Sequence, residues 1–165
     1  MPAVSEQFKT YHDFASASLN DIYGDRLSKA YKVTATHLES GVWLNQGSKG
    51  EGLSFRWQSL PWDAQLSPVN AAASGDFDGN GKIELVLAQN HETNWIETGI
   101  WRGNPGCHLE WDGKAFRIVP HSESGILMPH DTKSLLTIDA NSDGLLDVLA
   151  APNNRALLLF SNQKK

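Results

Sequence analysis

Two nine-residue segments hold the chain's densest oxygen chemistry. The first is Asp76-Phe77-Asp78-Gly79-Asn80-Gly81-Lys82-Ile83-Glu84. The second is Asp139-Ala140-Asn141-Ser142-Asp143-Gly144-Leu145-Leu146-Asp147. Each places an oxygen-bearing side chain at positions 1, 3, 5 and 9, with glycine at position 6. Each then runs into an apolar segment, Leu85–Ala88 or Val148–Ala151. Hard oxygens converging around a glycine-permitted turn are the ligand set that Ca²⁺ requires. The expected ligands are the side chains of Asp76, Asp78, Asn80 and Glu84, with the backbone carbonyl of Lys82. In the second loop they are Asp139, Asn141, Asp143 and Asp147, with the carbonyl of Leu145. Each turn crowds three carboxylates together, and like charges repel unless a cation neutralises them. The loops begin 63 residues apart, at 76 and 139, which points to a repeated structural unit.

An EF-hand needs a bidentate glutamate at position 12 and a helix on each side. Position 12 here is Leu87 or Ala150. A dockerin-type loop fails at the same position. The apolar flanks are short and bounded by Asn and Pro, so they read as strands. What remains is a strand–loop–strand turn closed by the carboxylate at position 9. The alternative is a pair of Asx-rich turns that hold no metal, since Asp, Asn and Gly favour turns on their own.

The pattern D-x-D-G-N-G-x-x-E followed by an apolar strand resembles the FG-GAP/VCBS repeats of integrin-alpha-like β-propellers. The resemblance extends to Ser40–Gly47 and to Leu60–Val69, which look like the stretch ahead of the acidic loop in secreted bacterial VCBS proteins of the ASPIC/UnbV type. Asn153–Phe160 is similar to their C-terminal end, so the likeness covers roughly residues 35–163. It implies a mainly β fold built as a partial β-propeller of four-stranded antiparallel blades, a bound Ca²⁺ per loop, an extracellular or periplasmic setting, and adhesion or recognition of a protein or glycan. Glu84 departs from the usual Asp at position 9, so the second loop is expected to matter at least as much as the first.

Nine strands are expected to position these loops, near 41–45, 53–58, 69–75, 84–90, 106–111, 115–119, 133–138, 146–151 and 156–161. Turn signals such as Asn80-Gly81, Asp112-Gly113 and Asp143-Gly144 separate them. In the blade phase set by the loops they make two strands of one blade, four of the next and three of a third. That is little more than two blades, whereas closed propellers need about four or more. A longer natural chain or association with further copies would complete the ring. Residues 1–38 differ from this pattern and read as a helical segment, with helices near 6–22 and 25–36 broken at Gly24; their apolar stripe is expected to be a packing face. Residues 39–165 form the repeat region.

Forty per cent of the residues are apolar, enough for one core. The net charge is −5, from 14 basic and 19 acidic residues. Six of those acids lie in the two loops, which leaves 13 acids against 14 bases elsewhere. The acidity is therefore local, and two Ca²⁺ ions would nearly cancel it. No basic stripe suggests nucleic acid, and no apolar run approaches the length of a membrane span. The single cysteine, Cys107, rules out an internal disulfide. Residues 1–9 contain no apolar h-region, so no signal peptide is expected in this chain.

The six histidines have no metal-binding spacing, and no Gly-x-Ser-x-Gly elbow or phosphate loop occurs. No catalytic residue is expected, and the chain reads as a non-enzyme; the rival readings are a purely structural terminal module of a larger secreted protein and an accessory domain of a propeller enzyme. Trp43, Trp57 and Trp111 lie in strands and are expected to pack between blades. Trp95 and Trp101 lie in the longest polar-aromatic loop and are the expected partner- or glycan-contacting residues.

Overall fold

The computed structural model describes residues 2–50 and 52–163. It divides into two compact units, Met1–Leu38 and Glu39–Lys165. The first contains three short helices, α1 (Pro2–Gln7), α2 (Tyr11–Ser16) and α3 (Leu19–Tyr23), then a 3-10 turn over Gly24–Lys29. Thr10 caps α2 by accepting the amide of Asp13. Ser18 and Asp21 form a reciprocal capping box on α3. The expected long helix over 6–22 is thus three pieces, the second and third each started by its own cap. Gly24 breaks the pattern as expected, with φ at +52°. The second expected helix is absent beyond Lys29. Helical spacing without a face to bury does not hold a helix, and Tyr31 and Val33 are exposed. Within this unit α2 and α3 bury no side chain and Tyr11 and Leu19 are exposed, while Phe8 meets Phe14 edge-on at 5.8 Å.

The second unit is mainly β, and all nine expected strands form. β1 (Gly41–Lys49) and β2 (Gly52–Ser59) pair as a two-stranded sheet. β3 (Ala71–Gly75), β4 (Glu84–Ala88), β5 (Cys107–Trp111) and β6 (Phe116–Val119) make a four-stranded sheet in chain order. β7 (Thr132–Ile138), β8 (Asp147–Pro152) and β9 (Leu158–Phe160) make a three-stranded one. Every pairing is antiparallel. β1 runs four residues further than expected, through a bulge between Asn45 and Ser48. β4 is shorter and ends ahead of Asn90, which turns left-handed at φ +73°, and β9 is shorter at both ends. Among the described residues the three sheets close into no barrel or ring. No described helix is long and apolar enough to cross a membrane.

The second and third sheets pack on one another through β4. Side chains alternate across a strand, and here each face of β4 meets a different cluster. Leu85 and Leu87 join Leu60, Ala64, Cys107, Leu109 and Phe116. Val86 and Ala88 join Ile126, Met128, Val148 and Ala150. A strand covered on both faces reads as a continuous apolar run rather than an alternating one, which is what Leu85-Val86-Leu87-Ala88 is. β3 and β7, the first strands of their sheets, lie alongside each other, and the Thr137 hydroxyl donates to the Ser74 carbonyl between them. The outer face of the third sheet carries a cross-strand row, Leu136–Leu149–Leu159, set by register. Leu136 and Leu159 of that row are exposed.

The strand tryptophans divide. Trp111 packs against the first cluster and tilts on Phe116 at 4.9 Å. Trp43 does not pack between sheets: it is exposed and sits edge-on to its cross-strand partner Trp57, 5.2 Å between centroids.

Candidate metal centre

Each acidic segment is the turn of a hairpin, β3 to β4 or β7 to β8, and the two turns are built alike position by position. In the first, the Asp76 carboxylate accepts the amides of Asn80 and Gly81 at 3.0 and 2.8 Å. Asp78 accepts Asn80 N–H at 3.0 Å, and the Asn80 side-chain oxygen accepts Lys82 N–H at 2.8 Å. In the second, Asp139 accepts the amides of Asp143 and Gly144 at 3.1 and 3.0 Å. Asn141 accepts Asp143 N–H at 3.1 Å, and Asp143 accepts Leu145 N–H at 2.8 Å. Positions 4 and 6 are left-handed in both: Gly79 and Gly81 at φ +76° and +80°, Ser142 and Gly144 at +63° and +82°. Glycine at position 6 supplies that conformation without a Cβ clash. Position 9 reaches back to the amide of position 2 in each loop, Glu84 to Phe77 at 3.0 Å and Asp147 to Ala140 at 2.9 Å.

The loops diverge at position 9. Asp147 is fully buried, and its second oxygen accepts Asn162 N–H at 2.8 Å. Each of its oxygens therefore has a donor. Glu84 is 1 % exposed. Its Oε2 takes Phe77 N–H and lies 3.3 Å from His108 Nε2, while its Oε1 is buried with no hydrogen-bond partner. Extending the Leu85–Leu109 register by one residue sets Glu84 opposite Glu110 on β5. Burial, foremost, raises the Glu84 carboxyl above its ordinary range, and the Asp78 charge adds to that. The Phe77 amide and His108 pull it partly back.

Asp78, Glu84 and Glu110 each offer an oxygen within 4.8 Å of the others. Ca²⁺–oxygen distances of about 2.3–2.6 Å allow two ligand oxygens to stand up to roughly 5 Å apart, so this trio fits the ion. Among the described residues no other trio of His, Cys, Asp or Glu side chains converges so closely, and Asp139, Asp143 and Asp147 do not. Asp76 is outside the trio, held by the two loop amides. Glu110 also lies 3.5 Å from the exposed Arg117 guanidinium.

Three residues of this region escape a reading of the loops alone. His108 and Glu110 alternate on β5, and only the register of β4 against β5 brings them to Glu84. Asn162 lies just past β9, and its side chain donates to the Phe77 carbonyl while its amide serves Asp147. It links the two loops. The usable signal was the His-x-Glu alternation in 108–110, which puts both side chains on one strand face.

Trp95 and Trp101 lie at the other end of β4. The loop is pinned at its base by paired backbone bonds between His91 and Trp101, 2.8 and 2.9 Å. Arg102 pairs with Glu92 at 3.0 Å, holding that carboxyl below its ordinary range. The Lys133 ammonium lies 3.0 Å from His91 Nδ1. The tip turns at Trp95, whose carbonyl accepts the amides of Thr98 and Gly99. Trp95 is 83 % exposed and Ile96 98 %; Trp101 is 49 % exposed.

No protein-family model, no curated protein and no solved structure matches the chain.

Proposed function

We propose that this chain is a non-enzymatic, Ca²⁺-braced β module of the FG-GAP/VCBS propeller type, whose acidic hairpin turns take the ion and whose Trp95–Trp101 loop meets a protein or glycan surface. The observation that carries the reading is the duplicated turn. Two segments 63 residues apart repeat the same amide-to-carboxylate bonds and the same two left-handed positions at equivalent places of consecutive sheets. Those bonds hold the carboxylates of each turn in fixed positions against their mutual repulsion. A cation there locks the hairpin, and the chain's net charge of −5 concentrates where the ion sits. The adjoining first strands β3 and β7 suit blades that converge on an axis. A pinned loop base with exposed indoles suits recognition, since aromatic faces stack on sugars and on partner side chains.

The exposed Leu136–Leu149–Leu159 row and the two-stranded first sheet favour a second reading alongside it. Here the chain is a terminal module whose stack continues in further sheets of a longer protein or in further copies of itself.

Thermal unfolding tests the central claim. Ca²⁺ at about a hundredfold over its Kd adds about 2.7 kcal/mol to the folded state. For a chain of this length that raises Tm by roughly 5–11 °C, and EDTA reverses it. No shift at millimolar Ca²⁺ sinks the metal reading. A glycan array probed with the Ca²⁺-loaded chain and with Trp95→Ala tests recognition: signal lost in the variant supports the loop, and equal signal removes it from the interface.

A further inference from the structure

The two turns share a scaffold but not a chemistry. In the second, both oxygens of the buried Asp147 are met by backbone amides, one from Ala140 and one from Asn162 just past β9. Nothing in that arrangement calls for a cation. In the first, a carboxylate that is 1 % exposed keeps one oxygen with no donor, and the neighbouring strand sets a second carboxylate opposite it. Two carboxylates facing each other across a sheet are destabilising, and an unpartnered oxygen on a buried charge is costlier still. Asp78 closes the third side within 4.8 Å. Asp78 takes its donors from Asn80, and a hard divalent cation relieves both the repulsion and the orphaned Glu84 oxygen while drawing on Asp78 as a third ligand.

We infer that the chain binds one divalent cation, not two, and that its ligands are Asp78, Glu84 and Glu110, the last reaching in from β5. This rests on the Ca²⁺ reading above and sharpens it. The ion then ties three consecutive elements, the β3–β4 turn, β4 and β5, where a loop-only site would tie two. It also reverses the ranking expected from the position-9 aspartate. The longer arm of Glu84 is what carries the carboxylate across to the β5 side chain. Asp147 is a structural carboxylate that fastens the end of β9.

Titration of the whole chain with Ca²⁺ by calorimetry, with Tb³⁺ luminescence as a second readout excited through the tryptophans, tests this. One site per chain is expected. Glu110→Gln and, independently, Asp78→Asn are each expected to weaken it about tenfold or more, since affinity follows the number of charged ligands. Circular dichroism of each variant confirms the fold before titration. Two equivalent sites, or unchanged affinity in a folded Glu110→Gln, overturns the assignment while leaving the Ca²⁺ reading in place. No binding at roughly 10 mM, beyond the weakest Ca²⁺ modules, overturns both.

Discussion

Asp147→Asn and Glu84→Gln are the same chemical change at equivalent positions, and in the absence of divalent ions they are expected to act in opposite directions. Asp147 accepts an amide on each oxygen, from Ala140 at 2.9 Å and Asn162 at 2.8 Å, in a fully buried site. Converting either oxygen to NH₂ turns an acceptor into a donor facing a donor. One charge-assisted bond is lost, and an amide is left unpaired. A bond to a charged group contributes about 1.5–3 kcal/mol, and a buried orphan amide makes the loss worse. A cost near 3 kcal/mol lowers Tm by about 6–12 °C for a chain of this length. Glu84→Gln removes no such bond, because Oε1 has no donor. The remaining amide oxygen still accepts from Phe77. The change also removes a buried charge and its repulsion with Glu110, so the expected effect lies between zero and about 1 kcal/mol of stabilisation. Calorimetric melts at neutral pH in EDTA measure both. Adding Ca²⁺ is then expected to raise the wild-type Tm and leave Glu84→Gln where it was. A Glu84→Gln melt that falls as far as that of Asp147→Asn refutes the reasoning, because it means that Glu84 is as fully satisfied as Asp147 and no oxygen awaits a cation.

The pH dependence of that pair has a definite sign. Burial raises the folded-state Glu84 carboxyl above its ordinary value, so the folded chain binds its proton more tightly than the unfolded chain does. In EDTA the stability of wild type relative to Glu84→Gln is expected to fall as pH rises through the window between those two values and then level off; a difference that grows with pH would contradict it. Cys107 lies in the first core cluster, and burial pushes its thiol up to about 11, so Ellman's reagent is expected to label it only as fast as the chain unfolds; immediate labelling of the native chain would show an open core. Gly106 has φ at +96°, and a Cβ there would stand 2.7 Å from Met128 Cε and 2.9 Å from the Leu87 carbonyl oxygen. Gly106→Ala is expected to cost about 2 kcal/mol or more in urea unfolding, and a variant as stable as wild type would mean that β5 enters its sheet differently.

Much of the β unit was legible because its signals are local. Turn dipeptides punctuate the chain, and the acidic loops set the phase in which the strands group as two, four and three. The helical unit was less legible: residues 25–36 carry apolar side chains at helical spacing, yet spacing alone does not bury them, and Leu27, Tyr31 and Val33 stand exposed. The acidic loop residues were legible by type, but the partners that meet them were not. Glu110 comes to Glu84 only through the register of β5, and Asn162 comes to Asp147 only through the end of β9. Both are long-range consequences of pairing that no nine-residue pattern contains. The same limit applies to Trp43, whose place on a strand did not reveal which face of the first sheet would be covered.

β4 has no face left for solvent, since Leu85 and Leu87 serve one cluster and Val86 and Ala88 the other. The second cluster cannot come apart without baring the middle strand, so the second and third sheets are energetically joined although their strands belong to separate hairpins. The second and third sheets are then expected to melt together rather than sheet by sheet, and the amides of Val86 and Leu87 are expected to exchange with deuterium only through opening of both. A stack of sheets can fray piecemeal from its ends; here a single five-residue strand is expected to deny these two sheets that freedom.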